Sequence, residues 1–304
     1  MYTITDRKLL LGFTLAGFGT LLFSLKSIFI KFLYAQHMNA DTVLVMRMAL
    51  SLPIYSAILI WSLRNKPAYI DLNIQVTIKI FFLGFLGYYL ASLLDLMSLE
   101  LISAQLERLG LFTYPFMLAL LGYFFFHEIM TRRIILSLLI TYTGLYVVMG
   151  QELKLTGEGV IEGTLLVLGS AFSFSLYVLF SKRYIKTLGA QFFTCIAMIS
   201  SSLFGLLHGV MAVQWSDLVV SSHAWFWLLM LVVPSTVIPS FMMVEALNRI
   251  GPTQTGIVGM LGPVFTIALA IYLLDEPLTL GLIAGVALML TGVANLVLGK
   301  STAK

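Results

Sequence analysis

About ten apolar runs, each near the length of a membrane-crossing helix, account for most of this sequence. They lie near residues 9–33, 41–63, 74–99, 103–126, 134–150, 161–181, 190–213, 224–247, 254–274 and 278–298. A helix needs about 20 apolar residues to cross the hydrocarbon core, whereas a transmembrane strand needs about ten residues that alternate in polarity. The runs fit the first pattern, so the sequence predicts an all-α membrane protein with ten transmembrane helices.

The overall composition argues against a soluble domain. Hydrophobic residues make up 60% of the 304 residues, charged residues only 11%, and the mean hydropathy is +0.99. Soluble domains contain roughly 45–50% apolar and about 25% charged residues. Because a soluble fold of this length would leave too much apolar surface in water, we expect the lipid bilayer to surround most of the chain.

The positions of the basic residues predict the orientation, since cytoplasmic loops carry an excess of Lys and Arg. With ten helices, one side of the membrane collects most of them: Arg7, Lys8, Arg64, Lys66, Arg132, Arg133, Lys182, Arg183, Lys186, Arg249, Lys300 and Lys304. The other side holds Lys154, with Lys31 at its boundary. This bias places both termini in the cytoplasm. It also explains the net charge of +4, so nucleic acid is not expected as a partner.

A weak internal repeat divides the chain into two halves of five predicted helices. Polar, proline and glycine positions recur at an offset of 148 residues, or 151 near the start of each half: Pro115 and Pro263, Glu128 and Glu276, Thr131 and Thr279, Gly144 and Gly292, Ser92 and Ser240, Gly12 and Gly163, Ser24 and Ser175. Ile102 and Ile250 match in the same frame. An odd number of helices per half forces the halves into opposite orientations. Residues 9–150 and 161–299 are therefore predicted to form two inverted five-helix repeats, with a solute site where they meet.

The repeated segments resemble the paired EamA repeat of the drug/metabolite transporter superfamily. Segments 115–144 and 263–292 each begin with proline, carry a glutamate (Glu128 or Glu276) and end with glycine. Arg47, early in the second helix, matches an arginine often seen there in that family. The resemblance covers about residues 9–299, and it implies a membrane transporter with export as the direction of transport.

This chain departs from the family pattern just before each repeat glutamate. The family often has glycine there, whereas this sequence has His127 and Asp275. For the two glutamates themselves, Glu128 and Glu276, we expect helix capping or interface contacts.

The sequence offers no support for enzyme chemistry. The four histidines lack ligand spacing and the single cysteine, Cys195, lies in an apolar run, so no metal site or cofactor is expected. Gly299-Lys300-Ser301 ends like a P-loop, but Ala294 occupies the position of its first glycine. HExxH and GxSxG motifs are absent from the sequence.

Charges inside the predicted helices are the strongest pointers to a functional site, because each costs roughly 3 kcal/mol or more when unpaired in hydrocarbon. Helical geometry places five of them in the outer half of the bilayer: Lys26, Arg47, Asp95, Glu107 and Arg108. For Arg47 and Asp95, a structural ion pair and solute contact are both open. For the other three, solute contact is favoured, with Lys26 and Arg108 binding a carboxylate. Asp95 and Glu107 are the candidate proton-coupling groups.

Polar and aromatic residues predict the rest of a substrate cavity. Tyr88, Ser92 and Asp95 share one face of the third helix. Tyr177 lies on a polar face of the sixth helix, and Ser235 lies between two prolines in the eighth. Helix packing is the alternative for the serines. Because proline frees a backbone carbonyl that protein or water must satisfy, the eighth helix is a candidate moving or binding element.

These features favour a secondary active transporter of small metabolites, such as amino acids or amphipathic compounds. The alternative is a structural or sensory membrane protein without transport. The expected partners are a small-molecule solute, the lipid bilayer and, as a candidate coupling ion, the proton. Gly281 and Gly285 fit helix packing within one monomer better than a dimer seam. The expected location is the bacterial plasma (inner) membrane.

Cysteine labelling tests the orientation. In a Cys195→Ser background, single cysteines at positions 36, 157 and 217 should react with a membrane-impermeant thiol reagent added to intact cells. Cysteines at positions 65, 187 and 301 should not react, because these loops are predicted to face the cytoplasm. External labelling at position 65 or 187 would contradict the orientation.

Overall fold

The computed structural model describes residues 4–64, 74–127, 129–155 and 157–301, with the side chains of 4–8, 252–253 and 297–301 left out. Over these ranges the chain is helical and contains no strand. Lipid offers no hydrogen-bonding partner to the backbone, so each crossing segment must satisfy its own N–H and C=O groups. The prediction of an all-α fold is confirmed.

Ten helices follow one another in the described ranges. They are α1 (Ile4–Tyr34), α2 (Ala40–Arg64), α3 (Ile74–Leu101), α4 (Ala104–Phe126), α5 (Arg132–Leu155), α6 (Val160–Leu188), α7 (Ala190–Ala212), α8 (Ser222–Gly251), α9 (Gln254–Leu273) and α10 (Leu280–Ser301). Within these ranges nine helices are long and apolar enough to cross a membrane, and the apolar stretch of the tenth, Leu280–Leu296, is shorter. The protein is therefore a multi-pass membrane protein, and ten crossings stay a prediction.

Some helices extend beyond the apolar runs that predicted them. The run at 161–181 becomes helix α6, which continues through Arg183 and Lys186 to Leu188. Basic side chains in a last helical turn interact favourably with its unpaired carbonyls, so a helix can continue past the hydrocarbon core. Hydropathy predicts only the part of a helix that lies in the hydrocarbon core, so it does not predict this extension.

Two π-helical segments interrupt α3 and α8, at Phe85–Leu90 and Val233–Val237. Their first residues lie 148 positions apart, in the frame of the sequence repeat. In α8, Pro234 cannot donate to the carbonyl of Met230, four residues earlier. The hydroxyl of Ser235 donates to that carbonyl instead, at 3.0 Å. The carbonyl freed by proline is thus satisfied by protein.

The residues before the two repeat glutamates share an unusual backbone conformation. His127 and Asp275 both have φ of 53°, in the left-handed region. Glycine adopts this region without a steric penalty, which explains why glycine suits the position. Glu276, after Asp275, caps α4 as predicted. Glu128 lies outside the described residues.

Close helix crossings occur at glycines of the repeat frame. A Cβ atom on Gly144 in α5 would lie 2.5 Å from the carbonyl oxygen of Gly285 in α10. A Cβ on Gly12 would lie 2.4 Å from Ile250, and one on Gly163 would lie 2.6 Å from Ile102. A residue with a Cβ atom has no space at these positions, and small residues are what allow close helix packing in membranes.

The crossing of α5 and α10 can be tested with Gly144→Leu. The added side chain has no space against Gly285, so we expect a loss of roughly 1–3 kcal/mol of stability, as for other overpacked cores. The control is Gly150→Leu in the same helix, where a Cβ would meet nothing within 4 Å. Thermal unfolding of the detergent-purified protein should show a lower midpoint for the first variant only. Equal midpoints would contradict the close crossing.

Candidate functional site

Charged side chains from three helices meet within the bundle. Lys26 on α1 forms an ion pair with Asp95 on α3. The carboxyl group of Asp95 also interacts with that of Glu107 on α4. Asp95 is 1% exposed and Glu107 is fully buried. Three of the five predicted charges, Lys26, Asp95 and Glu107, therefore lie together at a junction of α1, α3 and α4.

A hydrogen bond between two carboxyl groups needs a proton on one of them, since an ionised carboxylate is only an acceptor. Ser27 donates to Glu107 Oε2 at 2.7 Å, and Lys26 donates to Asp95 Oδ2. Asp95 Oδ1 and Glu107 Oε1 are buried and have no hydrogen-bond partner among the described residues. A proton shared by the two carboxyl groups would therefore bind at these two oxygens.

Two arginines interact with the carboxyl pair and form no ion pair with any residue that the structure describes. Arg47 on α2 is 5% exposed and interacts electrostatically with Asp95. In the described part of the chain it makes no hydrogen bond and no salt bridge. Arg108 on α4 interacts electrostatically with Glu107, and its Nη2 lies 3.5 Å from Ser24 Oγ. Because an arginine stays protonated, these side chains give the cluster a surplus of positive charge.

The remaining predicted cavity residues divide into two groups. Tyr177 on α6 donates to the hydroxyl of Tyr88 on α3 at 3.2 Å, and their ring centroids are 5.1 Å apart. Ser92 is partly buried on the same helix as Tyr88. Ser235, by contrast, is fully buried and bonded to the Met230 carbonyl of its own helix. The roles of all four residues stay predictions.

Sequence reasoning missed Ser27, the hydroxyl donor to Glu107. A signal was present, because Ser24, Ser27 and Lys31 recur at helical spacing on α1. The position of Lys31 at the membrane boundary suggests only that its ammonium group extends to the interface, but the side chain also makes a specific hydrogen bond. Its ammonium group donates to the carbonyl oxygen of Ile102 at 2.7 Å.

A second polar cluster lies at His208 of α7. Its Nε2 is 3.0 Å from Asp41 Oδ1 at the start of α2, and its Nδ1 is 3.0 Å from the hydroxyl of Tyr89. Both ring nitrogens thus have partners, as a packing histidine requires. Over the described residues, no group of three or more His, Cys, Asp or Glu side chains is placed to hold a metal ion.

A surface groove of about 650 Å³ lies at α5, α6 and Leu94 of α3. Its lining is mostly apolar and includes Leu94, Leu153 and Leu165, with Gly159 and Glu162 at the junction of α5 and α6. Leu165 is 64% exposed, so this surface faces the surroundings of the bundle. The groove contains none of the predicted site residues.

The EamA-like transporter family model matches two segments of the chain, residues 10–150 and 161–298. The chain belongs to the EamA-like transporter family. This EamA-like protein is also 26% identical over 289 residues to the uncharacterized transporter YcbK of Bacillus subtilis (strain 168), covering 90% of this chain and 89% of the relative. A protein of known crystal structure matches 98% of this chain and 99% of its own length, with a TM-score of 0.64 and 15% sequence identity, which supports the fold.

Membership of the EamA-like family makes this chain a membrane transporter and excludes an enzymatic role. The family model matches twice, and the two matches meet close to the predicted boundary between the halves. The bilayer and a small solute are the partners that such a transporter requires.

Proposed function

We propose that this EamA-like protein is a secondary active transporter that exports small zwitterionic or amphipathic solutes in exchange for protons. The observation that carries the proposal is the buried carboxyl pair of Asp95 and Glu107, flanked by Lys26 and by two arginines without an ion pair in the described ranges. Ionisable groups at this depth are kept where a transport pathway uses them.

The proposed architecture is ten helices in two inverted repeats, residues 9–150 and 161–299. Two equivalent hydrogen bonds between the halves support it. Ser24 on α1 donates to the Gly262 carbonyl at 3.0 Å, and Ser175 on α6 donates to the Tyr114 carbonyl at 3.0 Å. The serines differ by 151 positions and the carbonyls by 148, which are the offsets of the sequence repeat. Exchange of contacts in this way is the mark of an approximate two-fold axis.

The positive surplus favours a solute that carries an anionic group. Because Lys26 is already paired with Asp95, the guanidinium groups of Arg47 and Arg108 are the better receptors for a carboxylate. Arginine suits this role since its planar fork can hold both carboxylate oxygens. Lys26 becomes available when Asp95 is protonated.

The carboxyl pair supplies the coupling. An ammonium group on the solute would compete with the shared proton for Asp95 and Glu107, because both cations bind the same oxygens. Solute binding then releases the proton, and proton binding from the other side releases the solute. Alternating access separates the two events. This competition gives proton–solute exchange, and an inward proton gradient then drives export.

The aromatic and hydroxyl residues complete the proposed cavity. Tyr88 and Tyr177 form a wall between α3 and α6, with Ser92 one turn further along. Ser235 belongs to the π-helical segment of α8, where the backbone departs from regular helix. We assign to Ser235 the support of a moving segment, and to the other three direct contact with solute. Tyr55 connects α2 to α8, with its hydroxyl 3.2 Å from Ser240 Oγ.

The proposed setting is the bacterial inner membrane, with both termini in the cytoplasm and the protein working as a monomer. The bias of loop Lys and Arg supports the orientation. The close contact of Gly285 with Gly144 supports the monomer, because Gly285 packs against a helix of the same chain and is not available for packing against a second copy.

Solute and proton coupling can be tested in proteoliposomes loaded with a mixture of amino acids. Under an inward proton gradient, the wild type should release at least one of them faster than without the gradient, as mass spectrometry of the medium would show. Asp95→Asn and Glu107→Gln should remove this acceleration, because neither leaves a carboxyl pair to share a proton. Exchange of the same solute in the absence of a gradient should persist.

The control for this experiment is Glu162→Gln, which neutralises an exposed carboxylate on α6. It should behave as the wild type does. An unchanged response to the gradient in both carboxyl variants would exclude the proton role. Failure of the wild type to release any amino acid faster than protein-free liposomes would exclude this solute class.

A further inference from the structure

We propose that Glu276, the glutamate of the second repeat, is a gate residue that locks the helix segment carrying Glu107 and Arg108 to the other half of the protein. This inference rests on the proposed transport function. It assigns a positioning role to a residue that lies outside the charge cluster, in the connection between α9 and α10.

The lock is a carboxylate that spans two backbone donors. Glu276 Oε1 accepts from the N–H of Ala104 at 2.8 Å, and Oε2 accepts from the N–H of Gln105 at 3.2 Å. These are the first two residues of α4, whose amide groups have no partner within the helix. The next amide, that of Leu106, is satisfied by Ser103 Oγ at 3.1 Å. An anion at a helix N-terminus also gains from the helix dipole.

Further charged groups surround this junction. Glu152 at the end of α5 accepts from the backbone N–H of Ser103 at 2.6 Å and also from its hydroxyl. Lys31 of α1 interacts electrostatically with both Glu276 and Glu152. Glu152 and Lys31 belong to the same half of the chain as α4. Among these residues, Glu276 alone comes from the second half, so its bonds are the ones that must break if the halves separate here.

The segment that Glu276 holds is short and separate. The α-helix Ala104–Leu111 ends before Phe112 and Thr113, and a new helix, Tyr114–Phe126, follows. Glu107 and Arg108 lie within one turn of the capped amides, so the orientation of both side chains depends on how that end is fixed.

Glu276 is in turn fixed to the end of α9. Asp275 adopts φ of 53°, and the N–H of Glu276 donates to the Ala270 carbonyl at 3.3 Å. A displacement of α9 would therefore carry the carboxylate with it. A movement of the second half would then be transmitted through two hydrogen bonds to the first turn of α4, and would change the positions of Glu107 and Arg108.

Protonation offers a way to release this lock. Burial raises the pKa of the Glu276 carboxyl above its ordinary value, while the two amide donors and Lys31 oppose that shift and Glu152 adds to it. A protonated carboxyl loses its charge and part of its acceptor capacity, so the hold on α4 weakens as the pH falls.

Hydrogen exchange and thiol labelling test the gate without any solute. Glu276→Ala should raise amide exchange in the peptide 101–111 roughly tenfold, the effect expected for loss of a helix cap. In a Cys195→Ser, Ser92→Cys background, it should also speed labelling of the introduced thiol by an impermeant reagent several-fold. Glu276→Gln keeps a carbonyl acceptor and should give smaller changes in both measurements. The control is Glu162→Gln, which should match the wild type.

Two results would overturn the gate. One is unchanged exchange in both Glu276 variants, which would mean that the carboxylate does not hold α4. The other is faster exchange with unchanged labelling of the thiol introduced at position 92 in both variants, which would make Glu276 a helix cap without a gating role. If Glu276→Ala does not fold, Glu276→Gln alone decides between these results. Because neither measurement uses a solute, a failure of amino acid release in proteoliposomes would count against the proposed function and leave these results standing.

Discussion

The cost of placing charge in hydrocarbon is the constraint on which the rest of this structure depends. The five side chains of the predicted charge cluster lie on helices that the bilayer is expected to surround, and lipid cannot solvate them. The ion pair of Lys26 with Asp95 and the contact of Asp95 with Glu107 reduce that cost by bringing three helices to one point. The helices pack closely elsewhere through glycines such as Gly144 and Gly285, where the backbones approach each other.

The charge cluster contains more positive than negative groups, and this excess of positive charge is the basis of the proposed function. Removing one partner of a buried pair is strongly destabilising, so a protein that only needed stability would pair every buried charge or replace it. Here Arg47 is 5% exposed and has no ion pair in the described ranges. A transporter has a reason to keep such a site, because its solute supplies the missing charge during each cycle. In our proposal the shared proton and the solute bind alternately to the carboxyl pair of Asp95 and Glu107.

Much of the fold could be predicted from the sequence, since hydropathy reports burial in lipid. The recurrence of Pro115, Gly144 and their copies agrees with the two segments that the family model matches. Helical rise alone predicted similar depths for Lys26, Asp95 and Glu107, whose side chains interact in the structure. Two features could not be predicted. Hydropathy does not report which distant groups bond to each other, so the partner of Ser27, which is Glu107, was not predicted. Capping was expected of Glu276, but the helix that it caps, α4, was not predicted. Backbone irregularity was hidden too, because a π-helical segment such as Phe85–Leu90 has no marker in residue type.

Infrared difference spectroscopy of the purified protein tests the central claim, the proton shared by Asp95 and Glu107, most directly. At neutral pH the account predicts the C=O stretching band of one protonated carboxyl group. That band should disappear in Glu107→Gln, because the remaining carboxylate, Asp95, is ion-paired with Lys26. In Asp95→Asn the band should change in frequency, because Glu107 loses the carboxyl group with which it shares the proton. The band should persist unchanged in Glu162→Gln. A spectrum without this band in the wild type, or a band that survives unchanged in both single variants, would contradict the shared proton.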